Sequence, residues 1–463
     1  MVVGEFTQDT DLLIIGGGPG GYHAAFRAAS NGIQTTIIEA SPKLGGVCLH
    51  RGCIPSKAYL AMAENIHTAA KCKEMGIEFG KPKLDVDAIR KWKNSVVTKL
   101  SGGLDQLCQK HKVERLKGTA RFEDGKFVAL EGGEVARVKF RRAIIATGSR
   151  SIALKGVQIE SPRVLTSRTA LELEDIPKTL LVIGGGYIGL ELGQVYAAFG
   201  SRVTVVEMLD SLLPGVDRDL LRPLQKRLTD EFEEICLETK VTAMKENKNA
   251  IELTFDGKHP PKSKRFDKVL VAVGRRPNSS ELHLEKAGVQ MDQRGFIIVD
   301  QNFQTSNSKI YAIGDVIGNP MLAHKAMHEG VVLADRLAGK DNVFEPRAIP
   351  AVVFTDPAIA WAGLTEAEAK QKGLEVEIRK TPWAGNGRAV SLGRTDGLTK
   401  LILDKQTQRI LGVGLAGTHV GEMIAEGVLA LEMGATAYDI EKTIHPHPTL
   451  SEAICETAGL LPH

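Results

Sequence analysis

The 463-residue sequence contains no apolar run approaching the roughly 20 residues that a membrane-spanning helix needs, so no helical span and no membrane partner is expected. It also lacks a dominant charge. Net charge is +3, from 59 basic and 56 acidic residues of interspersed sign. The one short basic cluster, Lys262-Ser263-Lys264-Arg265, reads as a solvated strand edge or turn. Such a balance gives no reason to expect a nucleic-acid surface. The opening stretch, Met1 to Thr10, includes Glu5 and Asp9 and lacks both a basic-then-apolar signal and an Arg-rich transit pattern. A cytoplasmic location is expected from it. Cysteine is scarce: there are six, and Cys72, Cys108, Cys236 and Cys455 are scattered singly. Zinc would want two ligand pairs at CxxC-like spacing, so no metal centre is expected.

What the chain has in quantity is glycine, 48 residues, in an otherwise average composition of 43% hydrophobic and 25% charged residues. The length exceeds one ordinary core and suggests three or so domains. The glycines concentrate in telling places. Asp11-Leu12-Leu13-Ile14-Ile15 is a short apolar strand, followed by Gly16-Gly17-Gly18-Pro19-Gly20-Gly21 and a helix-forming run from Tyr22 to Ala29. This is a GxGxxG fingerprint in its required strand–turn–helix setting, where glycines make the tight turn and admit a pyrophosphate to the helix N-terminus. The next strand, Thr35 to Ile38, ends in Glu39, a carboxylate placed to accept from ribose hydroxyls.

The pattern then repeats. Leu180–Ile183 leads into Gly184-Gly185-Gly186-Tyr187-Ile188-Gly189, a helix from Leu190 to Phe199, a strand Arg202–Val206 and Glu207. Glu39 follows Gly16 by 23 positions, and Glu207 follows Gly184 by 23. A decayed copy kept for packing would be the alternative, but an intact turn with a correctly spaced acid argues against it.

Between the two units lie Cys48 and Cys53, five positions apart. They read either as a redox pair or as half a zinc site, and the absence of a second pair favours redox. A bridge between them would close a very short loop and add little stability by restricting the unfolded chain. Intracellular disulfides are usually catalytic. Two dinucleotide units and such a pair suggest electron transfer between two cofactors and a thiol.

Helical stretches are expected from Ser56 to about Cys72 and from about Asp87 to Lys112, then short alternating strands from Val113 to Arg142. A buried-type strand Lys309–Asp315 carries an acid at its C-terminal end, where ligands bind in parallel sheets. From about Pro350 the character changes. Strand-like segments at 351–354, 398–403 and 410–416 surround a capping-box helix start, Thr365-Glu366-Ala367-Glu368, and an apolar helix runs from about Gly421 to Met433. The fold expected is α/β: two Rossmann-like units and a C-terminal α+β domain, divided as 1–150, 151–278, 279–349 (a return to the first domain) and 350–463.

The order GGGPGG, GGVCLHRGCIPSK, IIATGS, GGGYIGLELG, VGRRPN, YAIGD and HPHPTLSE, spread from Gly16 to Glu452, resembles the two-cysteine flavoprotein disulfide reductases, class I of the pyridine nucleotide-disulfide oxidoreductases. Within them it is most similar to the branch acting on dihydrolipoamide. The resemblance covers nearly the whole chain. It implies FAD in the first unit, with Gly16, Gly18, Gly21, Glu39, Lys57, Gly118, Thr147, Gly148, Asp315 and Ala323 at its site. It implies NAD in the second, with Gly184, Gly186, Gly189, Glu207 and Gly274. Glutathione reductase-like members usually prefer NADP and carry basic residues after the second acid position, whereas Glu207 is followed by Met208-Leu209-Asp210. The implied reaction is oxidation of protein-bound dihydrolipoamide to lipoamide with reduction of NAD+. The implied partners are a second copy, bound through the C-terminal domain as a homodimer, and either the lipoyl-bearing acyltransferase of a 2-oxo-acid dehydrogenase complex or the glycine cleavage H protein.

The resemblance also implies roles. Cys53 faces the flavin as the charge-transfer thiolate, with Pro55 suited to the first turn of a helix whose N-terminus lowers a nearby thiol pKa. Cys48 is the interchange thiol attacked by substrate. Lys57 and Glu191 resemble an ion pair near the flavin and nicotinamide rings. Thiol–disulfide exchange needs a thiolate, and His447 is the base, held by Glu452. Thr449-x-x-Glu452 is also a capping-box pattern, which makes Glu452 the N3 acid of the last helix as well. The neighbouring His445 is expected to be structural.

Overall fold

The computed structural model describes residues 7–133 and 135–460. Glu5 and most of the N-terminal stretch read above lie outside them. The chain forms two compact units: Met1–Ala58 with Asp87–Ile152 and Gly274–Glu345, and Tyr59–Val86 with Ala153–Val273 and Pro346–His463.

The first unit is built on a mainly parallel sheet whose strands run in the order Glu114–Lys117, Thr35–Glu39, Thr7–Ile15, Arg137–Ile145 and Ile310–Ala312. Leu12 to Ile15 are almost wholly buried because helices cover both faces of a parallel sheet, so the strand is apolar without alternation. Ile14 pairs with Ile37 on one side and Ile144 on the other, and Ile144 with Tyr311. Helix Pro19–Ser30 packs closely on helix Ala323–Leu337. A Cβ on Gly330 would stand 2.5 Å from the Gly20 carbonyl oxygen, so only glycine allows that approach. Thr119–Phe122 and Phe127–Glu131 extend the sheet as an antiparallel hairpin.

The second unit holds another parallel sheet, ordered Glu234–Cys236, Arg202–Val206, Thr179–Ile183, Lys268–Val271 and Val164–Thr166. Val182 at its centre pairs with Val205 and Leu270. Beside it is a small antiparallel sheet of Thr239–Glu246, Ile251–Gly257 and Arg265–Phe266. Residues after 345 form a five-stranded antiparallel sheet, ordered Ala351–Val353, Ala358–Gly363, Ile410–Gly417, Leu398–Asp404 and Val376–Pro382. Helices Val420–Met433 and Glu452–Ala458 supply buried residues to the same core, in which Trp383 is fully buried and its indole N–H donates to Thr399 Oγ1 at 2.9 Å.

Several local expectations shift. The helix expected from Ser56 begins at Cys53, just after Gly52. The strand expected over 309–315 shortens to Ile310–Ala312, because Gly314 at φ +76° turns the chain into a 3-10 segment, Gly314–Ile317. The last helix begins at Glu452 itself with Ser451 as N-cap, so Glu452 is its first residue and not its third. Thr449 Oγ1 is engaged with the Pro446 carbonyl and Ser451 instead of closing a capping box. The box at Thr365 does form, with Glu368.

Candidate active site

The two glycine loops have nearly the same geometry. Gly16 and Gly184 sit at φ +108° and +110°, and a Cβ on either would stand 2.4 or 2.5 Å from the carbonyl oxygen of Ala146 or Ala272. Gly21 and Gly189 would place a Cβ 1.9 and 2.3 Å from the carbonyl oxygens of Gly16 and Gly184, so the helix seats on its own loop only without side chains. Glu39 Oε2 accepts from Gly17 N at 2.8 Å and its Oε1 from Ser41 N at 2.7 Å. Glu207 repeats this, with Gly185 N at 2.7 Å and Leu209 N at 2.9 Å. Both carboxylates are thereby fixed at the strand ends, each oxygen keeping a lone pair for a hydroxyl. Gly18 and Gly186 are the N-caps; no side chain caps either helix and neither first turn contains an acid. Two uncapped helix N-termini, each beside a fixed carboxylate, fit the pyrophosphate and ribose of a dinucleotide.

The first unit also gathers Gly118, Thr147, Gly148, Asp315 and Ala323. Gly118 N donates to the Glu39 carbonyl at 3.1 Å, and at φ +152° a Cβ there would meet the Leu130 side chain at 2.7 Å. Thr147 Oγ1 donates to the Asn278 carbonyl, and Asn278 returns bonds from Nδ2 to Thr147 O and from its N–H to Gly148 O. Asp315 accepts from Ser149 Oγ, and Arg275 donates to both Ser149 Oγ and O at 2.7 Å. Ala323 opens helix Ala323–Leu337, and within that helix Glu329, ion-paired to Lys325 at 2.7 Å, accepts from Gly314 N. Gly274, at φ +129°, accepts from Ile152 N. Asn278, Ser149, Arg275 and Glu329 add to the residues expected at this site from the sequence. The VGRRPN motif contains two of them, but nothing local shows that they clamp residues 131 and 126 positions earlier.

Cys48 lies in the short helix Gly46–Arg51 and Cys53 opens helix Cys53–Lys71. Both are in the reduced form, Cys53 exposed and Cys48 partly so. The Cys48 thiol is pushed well above its ordinary pKa, chiefly by its hydrogen bond with Cys53, then by burial, while Lys57 pulls the other way. Tyr22, another residue not singled out beforehand, is pushed up to about 12 by burial and then by the two cysteines.

In the second unit, His447 Nδ1 is 2.8 Å from Glu452 Oε1, while Glu452 Oε2 accepts from Thr449 N at 2.7 Å. These two bonds, the backbone one foremost, hold the Glu452 carboxyl below its usual range. The His447 side chain is 77% exposed, so its far nitrogen faces outward. His445 differs: its Nδ1 lies 2.8 Å from the Thr443 carbonyl and its Nε2 2.7 Å from Glu426, with the ring buried. Glu191, 3% exposed on helix Tyr187–Ala198, accepts from Phe354 N at 3.0 Å through Oε1. Among the described residues, no helix is long and apolar enough to cross a membrane.

Comparison with known proteins agrees over almost the whole length. Residues 10–330 match the family described as pyridine nucleotide-disulphide oxidoreductase, and residues 349–458 match the dimerisation domain of that family. The dihydrolipoyl dehydrogenase of Vibrio cholerae is 46% identical over 445 residues, covering 96% of this chain and 94% of that protein. That of Geobacillus stearothermophilus is 45% identical, covering 99% and 97%, and that of Haloferax volcanii 43% identical, also covering 99% and 97%. Among solved structures, the HOCl-induced flavoprotein disulfide reductase RclA of Escherichia coli superposes with a TM-score of 0.87 at 28% identity, covering 97% of this chain and all of that one.

Proposed function

Because the chain belongs to the pyridine nucleotide-disulphide oxidoreductase family, a family of flavoprotein disulfide oxidoreductases that use FAD and NAD, we propose that it oxidises protein-bound dihydrolipoamide to lipoamide, as a dihydrolipoyl dehydrogenase. The observation that carries this reading is the match to dihydrolipoyl dehydrogenases across 96% of the chain at 46% identity. The geometry of the two glycine loops and of His447 supports it.

In this reading, residues 1–150 and 279–349 bind FAD, 151–278 bind NAD and 350–463 form the dimer interface. Gly16, Gly18 and Gly21 let the first helix N-terminus reach the FAD pyrophosphate, and Glu39 takes its ribose. Gly118, Thr147, Gly148, Asp315, Ala323 and Lys57 complete that site. Gly184, Gly186, Gly189, Glu207 and Gly274 do the same for NAD. Bound flavin supplies a two-electron relay between the thiols and the nicotinamide. The protein supplies the rest. In the oxidised enzyme Cys48 and Cys53 form a disulfide: the substrate thiolate attacks Cys48, the Cys48–Cys53 bond breaks, and Cys53 leaves as a thiolate held near the flavin at a helix N-terminus, which favours that form. His447 removes the thiol proton, because Glu452 fixes Nδ1 as the donor and leaves Nε2 as the acceptor. Glu191 and Lys57 orient the hydride exchange. Within a homodimer, His447 serves the thiols of the partner copy. The partner delivering substrate is a lipoyl-bearing acyltransferase of a 2-oxo-acid dehydrogenase complex or the glycine cleavage H protein.

The test is a steady-state comparison of dihydrolipoamide with NAD+ against glutathione disulfide with NADPH. Glu207 would repel a 2′-phosphate while accepting from a ribose diol. The expected result is turnover of the first pair, with kcat/KM for NAD+ above that for NADP+ by about a hundredfold or more, roughly 3 kcal/mol. Equal values for the two nucleotides, or preference for glutathione, would contradict the proposal.

A further inference from the structure

Helix Tyr187–Ala198 buries two polar side chains among apolar ones, Glu191 at 3% and Gln194 at 2% exposure. Spaced i, i+3, they share one face of the helix. Burying either group without a partner is unfavourable, and both are satisfied by one segment. Phe354 N donates to Glu191 Oε1 at 3.0 Å, Asp356 N donates to Gln194 Oε1 at 2.7 Å, and Gln194 Nε2 donates back to the Asp356 carbonyl at 2.9 Å. The amide thus pairs with residue 356 through one donated and one accepted bond, as a neighbouring strand would. A second bond from Gln194 Nε2 goes to Glu231 Oε2 at 2.9 Å. Asp356 is anchored in turn: its side chain bonds Arg394 and lies 3.7 Å from Arg227 and 3.8 Å from His67.

The Phe354 amide touches Glu191 directly, and it lies two residues from the one that Gln194 grips. We propose that Gln194 is a positioning residue for Glu191: it sets the register of 354–356 on the helix, so that the Phe354 amide holds one carboxylate oxygen and fixes where the other points. This rests on the role given to Glu191 above. A single amide bond, such as that from Phe354 N to Glu191, fixes one point of a segment, whereas the paired amide bonds at Asp356 define both direction and height. Glutamine is the residue type this requires, since the Asp356 amide demands an acceptor and its carbonyl a donor.

The test uses the FAD-loaded enzyme and three variants. Gln194→Met keeps the volume and removes all three bonds. Gln194→Glu keeps the acceptor for the Asp356 amide, and Glu191→Gln reports what loss of the carboxylate does. The readouts are the long-wavelength absorption of the enzyme reduced by one equivalent of dihydrolipoamide, kcat with NAD+, and KM for dihydrolipoamide. Gln194→Met should reproduce the spectral change of Glu191→Gln and lower kcat about tenfold with KM for dihydrolipoamide unchanged. Gln194→Glu should lie between it and the wild type. A Gln194→Met enzyme that merely melts earlier, with wild-type spectrum and kcat, overturns the inference. If Gln194→Met does not fold, a wild-type spectrum in Gln194→Glu overturns it equally. Should Glu191→Gln itself leave spectrum and kcat unchanged, the role assigned to Glu191 fails, and this inference fails with it for a distinguishable reason.

Discussion

At the scale of single residues, position in the fold separates groups that look alike in sequence. Cys53 starts a 19-residue helix and is exposed, whereas Cys48 lies in a short helix and its thiol is raised by its bond to Cys53. In Cys48→Ser, Cys53 becomes a lone thiol at a helix N-terminus, which favours its thiolate. The FAD-loaded variant should therefore show long-wavelength absorption without any reductant, and Cys53→Ser should not; the reverse pattern would exchange the two roles. The histidines divide likewise. His445 has a carbonyl on one nitrogen and a carboxylate on the other, an arrangement that favours the protonated ring, in which both nitrogens donate. Burial is the largest single influence and opposes this, but Glu426, the Thr443 carbonyl and Glu452 together outweigh it and the pKa is raised. A group whose folded pKa is raised stabilises fully below its unfolded value, about 6.5, and loses that contribution as pH rises through the folded value. His445→Gln should thus cost about 2 kcal/mol at pH 6 and progressively less by pH 9. A Tm difference from wild type that is flat or widens with pH would contradict this.

At the scale of elements, the two strand–loop–helix units make separable predictions. A methyl on Gly21 would stand 1.9 Å from the Gly16 carbonyl oxygen, and one on Gly189 2.3 Å from that of Gly184. Gly21→Ala should be purified with little bound flavin. Gly189→Ala should stay yellow and bind NADH at least about tenfold more weakly, roughly 1.4 kcal/mol. Equal flavin loss in both would mean that the units are not dedicated to different cofactors. These units were legible in the sequence because their signals are local: an apolar run, a glycine pattern and an acid 23 positions on. Glu452 was legible as a partner of His447 and mislocated in its helix, because a cap assignment depends on where the first turn closes and Ser451 took the N-cap. What escaped the sequence were ties across long stretches of chain. Asn278 grips Thr147 from 131 positions away and Gln194 grips Asp356 from 162. No periodicity or motif records which distant amide a buried side chain will meet.

At the scale of the molecule, the dimerisation domain spans residues 349–458 and contains His447 and Glu452, while Cys48 and Cys53 lie in the part matched by the redox family model. In a two-fold dimer each interface contact occurs twice, giving two composite sites. In the proposed dimer the thiols and the base serving them come from different copies, and complementation tests this most directly. Cys48→Ala and His447→Ala homodimers are each expected to be inactive. In a hybrid of the two chains, one site carries both lesions and the other is intact. Mixing the homodimers under conditions that exchange subunits should restore NAD-linked dihydrolipoamide oxidation, to about half the wild-type rate per verified hybrid dimer. Verified hybrids that remain inactive would contradict the account, because each site would then hold one lesion, as it must if Cys48 and His447 act within the same chain.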